Sequence, residues 1–317
     1  MFQLFTNNKP AQVGVAVSLS ILIAANVIGN ILVILIILTN KSMKSPMNYL
    51  LVNLAVADMM VGIFIAPKYV FISFFTHSEG VAGKILCTVL TGGLFAWVGA
   101  VASSFTLVSV ACERYFAIVH PYSIQLKLNM KRLKLIVIFC WPYALLLTFP
   151  SFFTLEFSKD LQLCMEQWSM QPLWVATTYS TLWLIFVGVI PISIMFVLYS
   201  RVIYSLWFKQ NQVQGTNLAV LKSRKRVTKM MVIVSVVYAA SWLPILLVYH
   251  NSQFDNDTTL AAKIPFVASV VLSACNSAIN PFVYTLQSER FRRLLMRLLR
   301  CRKQRQNCIA VVKQGKY

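Results

Sequence analysis

Long, mostly apolar runs separated by short polar links make up most of this 317-residue chain. A helix that crosses a bilayer needs about 20 consecutive apolar residues. Seven runs reach that length, near residues 11–39, 47–72, 85–117, 133–153, 173–207, 229–250 and 262–286. None of them alternates polar and apolar positions with a period of two, as the strands of a membrane barrel do. The pattern therefore predicts an all-α membrane protein, a bundle of seven transmembrane helices.

Composition and charge predict how this bundle is oriented. The chain is 58% hydrophobic and 12% charged, whereas soluble domains average about 25% charged residues. Of its 29 Lys and Arg residues, 24 fall on one side of the predicted membrane. Because positive charge collects on the cytoplasmic side, we expect a plasma-membrane protein with its N-terminus outside and its C-terminus inside. The net charge of +20 is explained in this way without a nucleic-acid partner.

The segments outside the runs are short, so one domain with small appendages is predicted. Residues 1–10 are the expected extracellular N-terminus, 11–286 the seven-helix domain, 287–300 a surface helix and 301–317 a cytoplasmic tail. In the surface helix, arginines alternate with apolar residues that share one helical face, namely Phe291, Leu294, Leu295, Leu298 and Leu299. Such a basic amphipathic helix lies along the inner leaflet, which makes membrane lipid a partner.

Two positions are candidates for covalent modification. Cys301 directly follows the predicted surface helix and is a candidate for palmitoylation, the alternative being an unmodified cytosolic thiol. Asn256 begins an Asn-Asp-Thr sequon in the outer link between the sixth and seventh runs. It is a candidate glycosylation site, although so short a motif also occurs by chance.

Polar residues in the middle of the runs are few, and each carries a desolvation cost. Asp58 is the acid in the middle of the second run, and several neutral polar residues lie at similar depth: Asn30, Ser103, Asn276, Ser277 and Asn280. One carboxylate with neutral oxygens around it could hold a small monovalent cation. The alternative is a protonated or hydrogen-bonded aspartate that holds helices together.

Prolines and an ion pair mark positions where the bundle could change shape. Trp242 stands two residues before Pro244, and Asn280-Pro281 stands three residues before Tyr284. A helical kink beside a bulky side chain can have two packings, which a switch requires; ordinary kinked packing is the alternative. The third run ends at Glu113-Arg114-Tyr115, which the charge distribution places at the cytoplasmic boundary.

Taken together, these features resemble the rhodopsin-like (class A) G-protein-coupled receptors over nearly the whole chain. The residues that carry the resemblance, in order, are Gly29, Asn30, Asp58, Cys87, Glu113, Arg114, Tyr115, Trp141, Cys164, Pro191, Tyr199, Trp242, Pro244, Asn280, Pro281 and Tyr284. The spacing departs at one place: Cys87 lies 27 residues before Arg114, two more than is usual for the family. The outer end of the third helix is therefore expected to differ.

The resemblance implies roles for individual residues. Cys87 and Cys164 would form an extracellular disulfide. A sodium ion acting as a negative modulator would be held by Asp58, Ser103, Asn276 and Asn280. The activation switch would comprise Glu113, Arg114, Tyr115, Tyr199, Trp242, Pro244, Asn280, Pro281 and Tyr284. Glu113 would pair with Arg114 at rest, and its release would let Arg114 meet a Gα subunit. No other cofactor and no enzymatic activity are implied.

The ligand class is narrowed by residues that the chain lacks. Ala274 stands where opsins carry the retinal lysine, and Ala96 stands where amine receptors carry an aspartate. The stretch from Lys44 to Gly62 looks most like neuropeptide receptors, so we expect a peptide ligand. Trp97, Tyr249 and His250 are the candidate pocket residues. Six acids against five lysines on the outer side favour a cationic ligand slightly.

Other functions stay open at this point. A receptor for a lipid or another non-amine small ligand fits the same residues, as does an orphan receptor that signals constitutively. A transporter fits less well, since it would need several charges in mid-membrane and only Asp58 is present. Arrestin and receptor kinases are further partners that the family implies. The tail after Cys301 has no Ser or Thr, so phosphorylation would fall on Thr216, Ser223 or Thr228.

Overall fold

A computed structural model describes residues 9–77, 80–123, 125, 127–158, 163–168, 172–208, 218–254 and 264–298. Several predicted features lie outside the described residues, namely Asn256, Cys301, the expected tail 301–317 and residues 1–8 of the expected N-terminus. Seven long helices follow one another in the described part, as the apolar runs predict. An eighth, shorter helix at residues 289–298 follows the last of them, where the amphipathic surface helix is expected.

The helix bounds agree with the predicted runs to within a few residues at most ends. Helix 1 is Lys9–Thr39, helix 2 Pro46–Tyr69, helix 3 Val81–Val119, helix 4 Met130–Thr148, helix 6 Leu218–Phe254 and helix 7 Ile264–Gln287; helix 5 joins Leu173–Trp183, Leu184–Val189 and Ile190–Phe208. Six described helices are long and apolar enough to cross a membrane. Helix 4 carries three basic residues in its first turns, so its apolar part is the shortest.

Helix 6 begins about three turns before the predicted span, at Leu218 instead of residue 229. The added turns hold the basic run from Lys222 to Lys229. Lys and Arg are good helix formers, and outside the bilayer their charges cost little. The helix therefore continues past the membrane boundary, which an analysis of apolar runs alone cannot detect.

The outer end of helix 3 is interrupted, in agreement with its unusual spacing. A π-helical turn at Cys87–Thr91 is followed by Gly92 and Gly93, and the regular helix resumes at Leu94. Gly93 has φ of 77°, a left-handed conformation that glycine adopts without steric cost. The π turn and the break absorb the extra residues between Cys87 and the rest of the helix.

Helices 4 and 5 are connected by a small hairpin that the sequence analysis missed. Leu155–Ser158 pairs antiparallel with Leu163–Glu166. Cys164 in the second strand forms the predicted disulfide with Cys87, with a Cα–Cα distance of 5.6 Å. The hairpin is thereby attached to the outer end of helix 3. Four-residue strands inside a predicted loop give too short an alternation to be read from sequence.

His77, in the link between helices 2 and 3, packs against this hairpin. Its ring stacks on Phe157 with centroids 4.1 Å apart, and its Nε2 lies 2.7 Å from Thr91 Oγ1. Burial lowers the pKa of His77 below its ordinary value. The neutral ring is therefore the form that this contact favours.

Helices 1 and 7 approach each other closely at Gly29 and Pro281. A Cβ atom at position 29 would lie 2.9 Å from Pro281 Cγ, closer than carbon atoms pack. Pro281 has no N–H, so the carbonyl of Ser277 one turn earlier loses its helical donor. The side-chain amide of Asn30 donates to that carbonyl at 3.2 Å. Gly29 and Asn30 thus adapt helix 1 to the kink in helix 7.

Candidate functional site

A small cavity, about 20 Å³ in volume, lies between helices 2, 3, 6 and 7 near the break in helix 3. Trp97 and Trp242 form part of its wall, together with apolar side chains of helices 6 and 7. Trp97 is thus placed where the sequence analysis expects a ligand contact. A space of this size holds roughly one or two water-sized groups.

The other two predicted pocket residues lie outside the wall of this cavity. Tyr249 donates its hydroxyl to Glu166 Oε2 at 2.5 Å. His250 Nδ1 lies 3.2 Å from Ser180 Oγ on helix 5. Both side chains therefore connect helix 6 to neighbouring elements of the outer half of the bundle.

Glu166, in the second hairpin strand, is the centre of a polar cluster that sequence reasoning did not single out. Its Oε1 accepts a hydrogen bond from Ser151 Oγ at 2.6 Å, and its Oε2 accepts the bond from Tyr249. Ser151 Oγ also lies 2.9 Å from the hydroxyl of Tyr179. One carboxylate thus joins the hairpin to the end of helix 4 and to helices 5 and 6. Only the folded hairpin brings these residues together, so no local signal could have indicated them.

Lys68 is the cation of the cavity, and it was also missed. It lies in the last turn of helix 2, where the charge count assigned it to the outer surface. In the structure its side chain is buried, 9% exposed, and lines the cavity. Its Nζ donates to the carbonyl of Gly92 at 3.1 Å. That carbonyl faces Lys68 because helix 3 is broken at Gly92 and Gly93.

Aromatic rings in contact lead from the outer loop to the middle of helix 6. Trp168 of the loop contacts Tyr179, which contacts Trp183 in helix 5. Trp183 and Trp97 are arranged edge to face with centroids 5.5 Å apart. Trp97 contacts Trp242 in the same manner at 6.0 Å. A molecule in the cavity would therefore touch the ring that stands beside Pro244, the kink in helix 6.

Asp58 is fully buried, and two of the predicted sodium ligands, Ser103 and Asn280, contact its carboxylate. Ser103 Oγ donates to its Oδ1 at 3.1 Å, and Asn280 Nδ2 donates to its Oδ2 at 2.6 Å. Among the described residues, Asn280 Oδ1 and both amide atoms of Asn276 are buried without a hydrogen-bond partner. These unpaired oxygens and the single carboxylate fit a monovalent cation. The described residues contain no group of three or more His, Cys, Asp and Glu suited to another metal ion.

Helices 5 and 6 are joined below the cavity. Helix 5 has a π-helical turn at Leu184–Val189, followed by Pro191. Pro191 has no N–H to offer to the carbonyl of Val187. The buried hydroxyl of Tyr238, on helix 6, donates to this carbonyl. The bond fixes helix 6 to helix 5 one turn below Trp242.

The two predicted switch tyrosines are both buried, in the half of the bundle away from the cavity. Tyr199 on helix 5 is 5% exposed and Tyr284 on helix 7 is 2% exposed. Neither hydroxyl has a hydrogen-bond partner among the described residues. Buried hydroxyls are usually paired. Both side chains would therefore gain from a rearrangement that gives them a partner or a water molecule.

In the last turns of helix 3, at the end away from the cavity, the side chains of Glu113 and Arg114 form an ion pair. The two side chains are 12% and 14% exposed. The hydroxyl of Tyr115 turns away from this pair and lies 3.3 Å from His120 Nε2. In this conformation the positive charge of Arg114 is neutralised by its neighbour in the sequence.

Helix 6 is connected to helix 8 by a second ion pair, at the protein surface. Arg226 Nη2 lies 2.7 Å from Glu289 Oε1. The guanidinium of Arg226 lowers the pKa of Glu289 below its ordinary value. The sequence analysis did not foresee this contact, because Arg226 precedes the predicted sixth run and Glu289 follows the seventh.

Comparison with known proteins identifies the family of the chain. The family model described as "7 transmembrane receptor (rhodopsin family)" matches residues 29–284. A QRFP-like peptide receptor of Branchiostoma floridae is 28% identical, over 89% of this chain and 76% of its own length. The thyrotropin-releasing hormone receptor of Homo sapiens is 30% identical over 89% and 77%, and the substance-K receptor of Bos taurus is 30% identical over 88% and 73%. The matched proteins are receptors and not enzymes. This chain belongs to the rhodopsin family of seven-transmembrane receptors.

Proposed function

We propose that this chain is a receptor for an extracellular neuropeptide and that the bound peptide causes nucleotide exchange on a heterotrimeric G protein. The observation that carries the proposal is the shared wall of Trp97 and Trp242 in the cavity. The names of the relatives support the ligand class, since they include receptors for a QRFP-like peptide, thyrotropin-releasing hormone and substance K.

The orientation proposed from charge is N-terminus outside and C-terminus inside. It assigns the cavity, the disulfide and the hairpin to the extracellular side. It assigns Glu113, Arg114 and helix 8 to the cytoplasmic side, where a G protein would bind. The two sites then lie at opposite ends of helices 3 and 6, and the signal has to pass through the bundle.

We expect the signal to pass through helix 6. A peptide residue in the cavity would press on Trp97 and Trp242, beside the kink at Pro244. Rotation of helix 6 would break the bond from Tyr238 to Val187 and move the cytoplasmic end of the helix outward. Arg114 would then leave Glu113 and contact the C-terminal helix of a Gα subunit. Tyr199 and Tyr284 would turn inward and pair their hydroxyls.

A sodium ion is proposed as a negative modulator of this change. Asp58, Ser103, Asn276 and Asn280 would hold it, since they offer one buried carboxylate and neutral oxygens that lack partners. The ion would neutralise Asp58 and connect helices 2, 3 and 7 in their resting positions.

Arrestin and receptor kinases are proposed as partners through the third inner loop. Of the three residues considered there, Ser223 is exposed and Thr228 is fully buried, while Thr216 lies outside the described residues. Ser223 is therefore the better kinase substrate in the described part of the loop.

The proposal is tested by nucleotide exchange on purified G proteins with membranes that contain the receptor. Peptides of the classes named in the relatives, including an RF-amide peptide, should be supplied with each class of Gα subunit. We expect one peptide class to accelerate exchange, and we expect Arg114→Ala at equal surface expression to abolish the acceleration. Exchange that is independent of every peptide but needs Arg114 would indicate a constitutively active receptor instead. Acceleration by a lipid extract and by no peptide would indicate the lipid alternative.

A further inference from the structure

We propose that Lys68 is the anchor for an acidic group of the ligand, so that the cavity selects molecules that carry a carboxylate. The proposal concerns the ligand class of the same cavity and rests on the proposed receptor function for its physiological meaning. The sequence alone favoured a cationic ligand slightly, because acids outnumber lysines on the outer side. The positions of the charges in the structure lead to the opposite expectation.

The ammonium group of Lys68 is buried but has hydrogen-bonding capacity left. An ammonium offers three N–H donors, and one of them goes to the carbonyl of Gly92 at 3.1 Å. Tyr69 adds a cation–π contact, with its ring centroid 5.7 Å from Nζ. Neither partner carries a negative charge. A buried cation with neutral partners is costly, and an anion entering the cavity would relieve that cost.

The described acids of the outer half are already engaged elsewhere. Glu166 acts on Lys68 through its charge, but both of its oxygens accept hydrogen bonds from the hydroxyls of Ser151 and Tyr249. Glu156 forms an exposed ion pair with Lys84, with 3.5 Å between Nζ and Oε1. Neither carboxylate is therefore available to a cationic ligand without the loss of an existing contact.

The rest of the cavity defines the shape of the acidic group. Trp97, Trp242, Ile245 and Val270 give it apolar and aromatic walls. The stem of Lys68 lies against Gly93, whose added Cβ would be 3.5 Å from the lysine Cδ. The chemistry that fits is a carboxylate on a short apolar stem. A peptide could provide it as an acidic side chain or as a free C-terminus.

The test uses the purified full chain in lipid nanodiscs and two small probes of equal shape, acetate and acetamide. A fragment of this size binds with a Kd of roughly 1 mM. At about 10 mM, a bound fragment should raise the thermal unfolding midpoint by roughly 3 °C. We expect this rise with the acid and less than half of it with the amide. An equal rise with both probes, or none with either, overturns the proposal.

Variants identify the residue responsible. Lys68→Gln should abolish the difference between acid and amide, and Lys68→Arg should retain it. Lys84→Gln, which removes a lysine from the same outer side of the protein, is the matched control and should behave as the wild type. If Lys68→Gln does not fold, Lys68→Arg and Lys84→Gln must both still prefer the acid. A preference that persists in Lys68→Gln, or that disappears in Lys84→Gln, contradicts the assignment.

Experiments with peptides separate this inference from the proposed function. They also distinguish the two sources of the carboxylate, an acidic side chain and a free C-terminus. Peptides that accelerate nucleotide exchange are compared with their C-terminal amides and with Asp→Asn or Glu→Gln versions. If potency falls about tenfold with the C-terminal amide alone, the carboxylate comes from the C-terminus; if it falls with a side-chain change alone, it comes from that side chain. A Lys68-dependent thermal shift without any peptide-driven exchange would retain the anion site and reject the receptor function. Peptide-driven exchange, with an equal rise of the unfolding midpoint for acid and amide, would retain the receptor function and reject the anion site.

Discussion

The hydroxyl of Tyr238 on helix 6 donates a hydrogen bond to the carbonyl of Val187 on helix 5. This carbonyl is available because Pro191, four residues later, has no N–H. The bond belongs to a conformation in which Arg114 is still paired with Glu113. It therefore holds helix 6 in place while the cytoplasmic end is at rest.

Tyr238→Phe removes the hydroxyl and leaves the rest of the ring. A buried hydrogen bond contributes about 1 kcal/mol, so loss of this one should raise basal nucleotide exchange by roughly fivefold. The measurement is exchange without ligand at matched surface expression. Tyr143→Phe is the control, since the Tyr143 hydroxyl lies 3.5 Å from the carbonyl of Phe186, also in the π-helical turn, but comes from helix 4. Basal exchange equal to that of the wild type would show that the bond is kept in the active state.

The ion pair of Glu113 and Arg114 gives a second prediction. Glu113→Gln keeps the shape of the side chain and removes its charge, so Arg114 is released and basal exchange should rise about fivefold to tenfold. Arg114→Ala should instead abolish ligand-driven exchange, because its guanidinium is expected to contact the Gα subunit. For both variants, the nucleotide exchange rate is measured at equal receptor density. A Glu113→Gln receptor that is silent without ligand but normal with it would argue against a resting role for the pair.

Sodium should weaken agonist binding through Asp58. Replacement of N-methylglucamine chloride by sodium chloride at constant ionic strength should lower agonist affinity by about tenfold, a typical allosteric coupling. Asp58→Asn removes the buried charge and should make the affinity the same in both salts. Competition binding at several sodium concentrations provides the measurement. A sodium effect of full size in Asp58→Asn would place the ion elsewhere.

The pair of Arg226 and Glu289 connects helix 6 to helix 8, and its charges can be exchanged. Arg226→Glu should raise basal exchange slightly, roughly twofold, since an exposed ion pair contributes little. The double change Arg226→Glu with Glu289→Arg should restore the wild-type rate. The measurement is a double-mutant cycle, in which the effect of the double change on basal exchange is compared with the sum of the two single effects. Additive effects would mean that the two residues do not interact in the membrane.

The same pair has a defined pH dependence. Its arginine lowers the folded-state pKa of Glu289, so the contact is present above the ordinary pKa of a glutamate and is lost as the pH falls through the lowered value. Basal exchange should therefore be independent of this pair between about pH 6 and 8. A change in that range that depends on Glu289 would contradict the assignment.

The seven spans could be predicted because membrane burial imposes long apolar runs. The roles of the switch residues rest on their order along the chain, which resembles that of the family, and they stay predictions. Contacts that depend on two helices were not predictable. Asn30 was recognised as a polar residue in a span, but its bond to the carbonyl freed by Pro281 depends on the packing of helices 1 and 7. The hydroxyl of Tyr238 is unusual for a core position and is expected to form a hydrogen bond, but its acceptor in the π-helical turn of helix 5 could not be identified from the sequence. In both cases a proline creates an acceptor and a distant helix provides the donor.

Lys68 was misplaced for a related reason. Near the end of an apolar run, a lysine normally extends to the membrane surface, and the charge count assumed this. Its burial depends on the break in helix 3, which opens a backbone carbonyl toward it. The hairpin and the Glu166 cluster likewise arise from tertiary contacts, so the polar chemistry around the cavity was the least predictable part of the protein.

The break at Gly92 and Gly93 also separates two parts of helix 3 that would otherwise turn together. In a continuous α-helix each residue turns the chain by about 100°, so two added residues near Cys87 would rotate the disulfide by more than half a turn relative to Trp97 and Ser103. The π-helical turn and the left-handed glycine absorb that rotation. Insertions or deletions above Gly93 can therefore accumulate during evolution while the residues below it keep their orientation in the bundle. The outer loops of such a receptor are free to diverge toward new ligands while its inner mechanism stays the same.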